Sequence, residues 1–188
     1  MSIYRLLAFV YPIIDRYAMP SKAELTTQIQ RNSPGKLLDI GCGIAANWFE
    51  WSKHNCWGVD SSKEMIDQGL NKHTGERCIL ADARNLPFES NKFDIIVIAH
   101  MLSTSDGIQS VLSEAHRVLK KEGYCYIQNH DSQGWHVFDT IIRPFAAILG
   151  VKVPFYINEY IDASLWTVEK ELTLGRFSYF KLITLRKR

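Results

Sequence analysis

The sequence predicts an α/β protein built on a doubly wound, mostly parallel sheet of seven strands, with an antiparallel strand near the C-terminal end. Two observations lead to this prediction. Apolar, strand-like runs alternate with helix-like segments along most of the chain, which is typical of a parallel sheet covered by helices on both faces. The last two strand-like segments are separated only by a short turn, and a parallel crossover needs a longer connection. One of them must therefore run antiparallel.

The predicted elements follow from hydrophobic spacing and from turn residues. Strands are expected at about 36–40, 56–60, 77–81, 93–99, 124–128, 165–173 and 177–186. Helices are expected at about 3–17 with a kink at Pro12, 21–31, 45–53, 62–70, from 108 onward, and 134–149 with a break near Pro144. Ser21 with Glu24, and Ser61 with Glu64, have the spacing of a capping box at a helix start. Gly123 is a natural helix stop.

Composition limits the class of function. Apolar residues make up 46% of the chain, charged residues 22%, and the formal net charge is +2. These values are typical of a globular protein, and the small positive charge without a basic run argues against nucleic acid as a partner. Cys42, Cys56, Cys78 and Cys125 are scattered, so we expect free thiols, no metal site and a cytoplasmic location.

The stretch Leu37 to Ala45, LLDIGCGIA, is the first functional signal. An apolar strand ends in an acid and runs into glycines at alternate positions, where the backbone can take positive φ and a ligand can approach it. A helix start behind the turn would offer unpaired N–H groups. Gly41, Gly43 and Ala46 fit the dinucleotide pattern, while Ala45 in place of Ala46 gives an alternating variant. The turn alone therefore leaves the ligand open.

Acidic residues after the next two strands narrow the choice. Asp60 follows Gly43 by 17 residues and can accept both hydroxyls of a ribose. A ribose is shared by dinucleotides and other nucleoside cofactors, so Asp60 does not distinguish between them. Asp82 and Ala83 follow the third predicted strand, on the same edge of the sheet. There, a carboxylate can accept from an adenine amine, and a backbone N–H can reach a ring nitrogen.

With these blocks in order, the chain resembles the class I S-adenosylmethionine-dependent methyltransferases. The resemblance runs through LLDIGCGIA, GVDSSKEMI, LADARNLPFESNKFDIIVIAHML and LSEAHRVLKKEGYCYI, roughly residues 35–130. It implies a Rossmann-like fold and S-adenosylmethionine as cofactor. The implied cofactor-binding residues are Asp39, Gly41, Cys42, Gly43, Asp60, Ser61, Met65, Asp82, Ala83 and Ala99. Among them, Asp39 would lie near the amino group of the methionine part, and Asp60 would hold the ribose. Met65 or Leu86 would cover the adenine. Ala45 replaces the family's common third glycine.

The resemblance divides the chain into parts of one domain over residues 1–188. Residues 1–33 form an N-terminal helical cap, residues 34–130 the cofactor-binding core, and residues 131–188 an acceptor-side helix with the terminal strand pair. The acceptor is expected above the ends of the fourth and fifth strands. His100, His130 and Asp131 are therefore candidate catalytic residues for acceptor contact or proton removal. Tyr11, Tyr17 and Arg176 are candidate acceptor-binding residues.

A small-molecule or lipidic acceptor is the expected substrate, because the ends of the chain resemble those of small bacterial enzymes that methylate quinone precursors or phospholipid head groups. The N-terminal helix carries Leu6, Leu7, Phe9 and Val10, and the chain ends in Arg186-Lys187-Arg188. Such a helix predicts peripheral membrane contact. Two rival functions stay open: a nicotinamide-dependent oxidoreductase and a cofactor-binding, non-catalytic partner subunit. No motif for methylation of a flipped nucleobase follows the fourth strand, and no oligomeric state is indicated.

Overall fold

The computed structural model describes residues 22–45, 48–69, 77–148, 150–175 and 179–188. The strands are β1 (Lys36–Ile40), β2 (Asn55–Asp60), β3 (Cys78–Leu80), β4 (Phe93–Ala99), β5 (Leu119–His130), β6 (Trp166–Leu174) and β7 (Phe180–Lys187). The α-helices are α1 (Ala23–Gln30), α2 (Lys63–Gly69), α3 (Ile108–Val118) and α4 (His136–Ile148). Short 3₁₀ helices cover Trp48–Trp51, Leu102–Thr104 and Ile157–Tyr160.

The seven strands form one sheet in the order β3-β2-β1-β4-β5-β7-β6. Strands β1 to β5 pair in parallel, whereas β7 pairs antiparallel with both β5 and β6. The doubly wound, Rossmann-like sheet with an antiparallel C-terminal strand is therefore confirmed. The order reverses between β1 and β4, which makes the gap between these two strands the topological switch point where ligands of such sheets bind.

Both faces of the sheet are buried at its centre, which explains the continuous apolar run of β4. Ile96 and Ile98 join the hydrophobic cluster on the α3 side, while Ile95 and Val97 join the cluster on the α1 side. All four side chains are at most 1% exposed. Side chains of β4 thus point alternately into the two hydrophobic clusters, and this packing holds β4 at the centre of the sheet.

Two predictions about the segments beside the turn are wrong. The predicted helix over 45–53 is reduced, in the described residues, to the 3₁₀ turn Trp48–Trp51. The indole of Trp51 donates to Thr26 Oγ1 at 3.1 Å, and this anchor holds the turn against α1. The cap of α2 is Ser62 rather than Ser61, because the Met65 N–H donates to Ser62 Oγ at 3.3 Å.

Two helix ends also differ from the prediction. Helix α3 stops at Val118, well before Gly123, because Leu119 is already extended and pairs with Phe93 as the first residue of β5. Helix α4 continues through Pro144, which lies on its exposed side, instead of breaking there. The four cysteines are free thiols, as predicted. In the part of the chain that the structure describes, no helix has the length and apolar character needed to cross a bilayer.

Candidate cofactor site

Three acidic residues lie at the ends of neighbouring strands, since Asp39 and Asp60 are in the last two residues of β1 and β2 and Asp82 follows β3 by two residues. Pairing between β1 and β2 runs to Ile40, and pairing between β2 and β3 runs to Leu80. Because these strands are parallel and in register, Asp39, Asp60 and Asp82 lie at adjacent strand ends. The structure thus brings together the three acids that the sequence spacing singled out.

The glycine turn after β1 is held in place at Gly41 and is open to solvent at Gly43. Gly41 and Gly43 have φ of +75° and +53°, in the left-handed region that favours glycine. The Gly41 N–H donates to the Val59 carbonyl at 2.8 Å, and a Cβ at Gly41 would lie 2.8 Å from the Met101 side chain. At Gly43, a Cβ would meet nothing within 4 Å. The backbone at Gly43 is therefore accessible to a ligand.

Asp60 holds this turn in place. Its Oδ2 accepts the Gly43 N–H at 2.8 Å, and its Oδ1 accepts the Ser62 N–H at 2.9 Å. Burial raises the pKa of this carboxyl despite the backbone hydrogen bonds that lower it. Each oxygen keeps a second lone pair, so the carboxylate can still accept hydroxyl hydrogens while it clamps the turn.

Asp39 is buried beneath the turn and pairs with a tryptophan. Its Oδ2 accepts the indole N–H of Trp48 at 3.0 Å, and only 7% of the residue is exposed. Burial raises the pKa of Asp39 to about 6, which the Trp48 hydrogen bond and Lys22 oppose and the charge of Asp60 reinforces. A buried carboxylate with one hydrogen bond is an unsatisfied negative charge, and a ligand ammonium would stabilise it.

Ala45 occupies the position of the third glycine and adopts a left-handed conformation, with φ of +52°. The residue is 2% exposed. Left-handed backbone costs a non-glycine residue about 1–2 kcal/mol. This strain is the physical reason why glycine is common at that position.

Asp82, expected to meet adenine, is paired with a neighbour. Its two oxygens accept from Arg84 Nε at 3.0 Å each, and Arg84 Nη2 lies 2.7 Å from Oδ2. This pairing with Arg84 lowers the pKa of Asp82 to about 2. Both side chains are about half exposed. An adenine amine would therefore have to replace Arg84 as the hydrogen-bond donor to Asp82.

The remaining predicted cofactor residues surround the turn. Ser61 is exposed, while Cys42, Met65, Ala83 and Ala99 are half-buried. The Cys42 thiol lies over β2, where a Cβ on Gly58 would come within 2.6 Å of its sulfur. Leu86, the alternative adenine cover, is only 3% exposed and packs in the core, so it is not available at the edge.

His100 follows β4 in a strained backbone conformation with φ of +58°. Its N–H donates to the Gln128 carbonyl at 2.7 Å, and its ring Nε2 lies 3.1 Å from Gln128 Nε2. Burial, with smaller contributions from Lys22 and His130, lowers the pKa of His100 to about 3. The imidazole is therefore neutral at physiological pH. With Gln128 as donor, its hydrogen lies on Nδ1.

His130 and Asp131 are buried and engaged within the chain. His130 Nε2 lies 3.0 Å from the Lys152 carbonyl and Nδ1 lies 3.2 Å from Asn129 Nδ2, so both nitrogens have partners. Burial lowers the pKa of this imidazole. Asp131 accepts the Ile157 N–H at 3.2 Å and lies 3.5 Å from Lys181. Through these contacts, His130 and Asp131 hold the segment after β5 in place.

Tyr11, Tyr17 and Arg176 lie outside the described residues, as does the N-terminal helix. Sequence reasoning missed three residues that shape the site: Trp48, Met101 and Gln128. Each acts through a tertiary contact, with Asp39, Gly41 and His100 respectively. No spacing rule connects a tryptophan to an acid nine residues earlier across a turn, so the sequence carried no signal for it.

The glycine turn, the acids after neighbouring strands and the switch point define a nucleoside-cofactor domain of the class I methyltransferase type. Residues 38–127 match the family model Methyltransf_11, a methyltransferase domain. Residues 38–127 are therefore similar to the methyltransferase domains of this family, and the cofactor that the family implies is S-adenosylmethionine.

Curated relatives are similar to this chain in sequence, and a solved structure is similar to it in fold. The chain is 29% identical over 139 residues to a demethylmenaquinone methyltransferase of Corynebacterium efficiens, a match covering 72% of this chain and 60% of that protein. It is 36% identical over 106 residues to the Staphylococcus epidermidis protein of the same name, covering 52% and 43%. The structure superposes on a SAM-dependent methyltransferase of Thermotoga maritima with a TM-score of 0.75 at 18% identity, over 98% of this chain and 100% of that one. The chain spans about half the length of the two curated relatives.

The residues present fit S-adenosylmethionine. Gly43 leaves open the space that a Cβ would fill, and Asp60 offers free lone pairs beside it. Asp39 provides a buried, under-satisfied carboxylate for an ammonium group. Among the described residues, no cluster of three or more potential metal ligands is found.

Proposed function

We propose that this chain catalyses methyl transfer from S-adenosylmethionine to a small, lipidic acceptor of the quinone type. The observation that carries the proposal is the glycine turn at the switch point, open at Gly43 and held by Asp60. The names of the relatives support the acceptor class. The division into a cap at 1–33, a core at 34–130 and an acceptor side at 131–188 is part of the same proposal.

When bound, S-adenosylmethionine would supply a methyl group on a sulfonium: the acceptor nucleophile would attack the methyl carbon in line, and S-adenosylhomocysteine would leave with the electrons of the C–S bond. The chain's own residues then have to bind and align. Asp60 would accept the ribose hydroxyls, and Asp39 would face the ammonium of the methionine part. The Gly43 backbone would allow close approach, and Ala99 would offer its carbonyl from the other side of the switch point.

On the proposed acceptor side, His100 is the candidate residue that an acceptor could contact. It is half-buried, follows β4 directly and is neutral, with its pKa lowered to about 3. A base works best with a pKa near the working pH. The structure therefore favours His100 as a hydrogen-bond partner that orients the acceptor. His130 and Asp131 would support the same edge from within, while Tyr11, Tyr17 and Arg176 stay proposed contacts.

Calorimetric titration with S-adenosylhomocysteine tests the cofactor half. Asp60→Ala should weaken binding by about 1–3 kcal/mol, because it removes an acceptor from the ribose and leaves the Gly43 N–H unpaired. Asp67→Ala is the matched control, since Asp67 lies on α2 in an exposed ion pair with Lys63 at 2.7 Å. Binding of NAD(H) without binding of S-adenosylhomocysteine would overturn the proposal.

Turnover is tested with a reduced demethylated quinone and S-adenosylmethionine, followed by mass spectrometry for the added methyl group. We expect methylated product with the wild-type chain and a strong loss with Asp60→Ala. Cofactor binding without product, restored by a second protein, would instead support the partner-subunit alternative.

A further inference from the structure

The imidazole of His100 is paired with a buried amide on the neighbouring strand. Gln128, on β5, is 0% exposed, and its Nε2 lies 3.1 Å from His100 Nε2. The backbones are joined as well, because the His100 N–H donates to the Gln128 carbonyl at 2.7 Å. Gln128 also pairs in the sheet with Ala99, the residue before His100. The end of the β4–β5 ladder therefore holds the amide against the imidazole.

This pairing determines which ring nitrogen of His100 carries the hydrogen. An amide nitrogen can only donate, so His100 Nε2 accepts with its lone pair. Burial lowers the pKa of His100 to about 3, and the neutral ring therefore carries a single hydrogen, which lies on Nδ1.

The orientation of the amide follows from its surroundings. If the amide were reversed, both its hydrogens would lie where Gln128 Oε1 now has no hydrogen-bond partner among the described residues. A buried N–H without a partner is rarer in proteins than a carbonyl oxygen without one. The orientation with Nε2 toward the ring is therefore the favoured one.

The ring of His100 is also held at a second point, and its backbone is strained. The Phe180 ring meets it edge to face, with 5.6 Å between the ring centroids. The φ of His100 is +58°, a conformation that costs a non-glycine residue about 1–2 kcal/mol. Such strain is concentrated at functional sites. Among the residues that the structure describes, the ring makes its one hydrogen bond through Nε2, so the Nδ1 hydrogen is left for a ligand.

We infer that Gln128 is a positioning residue that fixes the hydrogen of His100 on Nδ1, so that His100 donates a hydrogen bond to a carbonyl or phenolate oxygen of the acceptor. The inference rests on the proposed function, because it takes the acceptor to lie beyond the ends of β4 and β5. It adds a direction to the acceptor contact. A group that offers only hydrogens, such as an alkylammonium, would meet the Nδ1 hydrogen and be disfavoured.

Long-range proton–nitrogen NMR spectra of the nitrogen-labelled full chain test the position of the hydrogen without any turnover. The His100 signals are identified by their loss in His100→Asn. The wild type should carry the hydrogen on Nδ1 and should not titrate between about pH 5.5 and 8, the range in which an ordinary histidine does. Gln128→Met keeps the length of the side chain without the amide, and it should lower the ratio of the Nδ1–H to the Nε2–H form about fivefold.

Asn129→Leu is the matched control for Gln128→Met. Asn129 is the next residue of β5, it is 1% exposed, and its amide lies 3.2 Å from Nδ1 of the other histidine, His130. Loss of this amide should leave the His100 spectrum unchanged.

Turnover of the reduced demethylated quinone tests the contact with the acceptor. Gln128→Met should raise KM for the quinone about fivefold, with a smaller change in kcat and unchanged affinity for S-adenosylhomocysteine, because the lost contact forms before the chemical step. Asparagine carries an amide N–H at the position of the imidazole Nδ1, whereas aspartate of the same shape offers only oxygens. Both tolerate left-handed backbone, so kcat/KM should be at least about tenfold higher for His100→Asn than for His100→Asp.

Each other outcome overturns a stated part of the inference. A hydrogen on Nε2 in the wild type, or identical tautomer ratios in the wild type and Gln128→Met, would remove the role of Gln128. A lowered melting temperature of Gln128→Met with an unchanged ratio would leave it a structural role only. Equal kcat/KM for His100→Asn and His100→Asp would refute donation to the acceptor. A wild-type chain that has the hydrogen on Nδ1 but forms no methylated product would place the error in the proposed function, and the acceptor contact would fall with it.

Discussion

Replacing Asp39 by asparagine should stabilise the folded chain at neutral pH while weakening cofactor binding. Burial raises the pKa of Asp39 from its usual 3.8 to about 6. A carboxyl with a raised folded pKa contributes stability that is fully present below the unfolded pKa and is lost as the pH rises through the folded pKa. The ionised Asp39 therefore opposes folding above about pH 6.

The size of this effect follows from the pKa difference. Each pKa unit corresponds to about 1.36 kcal/mol, so the ionised carboxylate costs about 3 kcal/mol at pH 7.5. Asparagine keeps an oxygen that can accept from the Trp48 indole but cannot ionise. Its amide hydrogens need new partners, which we expect to reduce the gain to about 1–2 kcal/mol.

Urea unfolding between about pH 4.5 and 8 measures this. The free-energy difference between Asp39→Asn and the wild type should rise with pH across the interval from about 4 to 6. Asp94→Asn is the control, because hydrogen bonds from Lys120 and the Lys36 N–H outweigh partial burial and lower the pKa of Asp94, so this substitution should destabilise the fold by an amount that stays constant over this pH range. Parallel pH profiles for Asp39→Asn and the wild type would refute the reasoning. Unchanged affinity for S-adenosylhomocysteine would separately refute the ammonium contact.

Two further substitutions test the turn and the segment after β5. Gly58→Ala would place a Cβ 2.6 Å from the Cys42 sulfur and 2.7 Å from the Trp48 ring, so we expect a loss of about 1–3 kcal/mol in unfolding free energy and weaker S-adenosylhomocysteine binding. An unchanged melting temperature and affinity would show that the turn adjusts freely. Asp131→Ala leaves the Ile157 N–H unpaired and removes the nearer carboxylate of Lys181, at 3.5 Å, while Glu171 stays at 3.8 Å, so it should destabilise the fold by about 2–4 kcal/mol. A loss of turnover without a change in the unfolding transition would instead support a catalytic role for Asp131.

The strands could be predicted because each is specified by a short, continuous stretch of sequence. The run from Phe93 to Ala99 is apolar at every position except Asp94, and the structure has β4 with those bounds. The order of acids after strands was likewise readable, since parallel strands bring their carboxyl ends to one edge. The antiparallel arrangement of the C-terminal pair followed from a connection too short for a crossover.

The segments that were mispredicted depend on contacts across the fold. Helical spacing over 45–53 suggested a helix start behind the turn, but Trp51 is anchored on Thr26 and Trp48 on Asp39. These two indole hydrogen bonds favour a short 3₁₀ turn over a regular helix. Gly123 is not the helix stop because Leu119 is already extended and pairs with Phe93 in the sheet.

The two halves of the site therefore differ in what specifies them. The cofactor half consists of backbone groups and acids at the ends of strands. Because the strands could be predicted, these residues could be identified from the sequence. On the acceptor half, His130 and Asp131 turn inward and bond to the chain. On the proposed acceptor side, His100, Tyr179 and Phe180 are half-buried rather than buried, and their rings are in contact. The Tyr179 ring also contacts Trp135 and Phe138, at the start of α4, so the position of α4 would affect a proposed acceptor contact there.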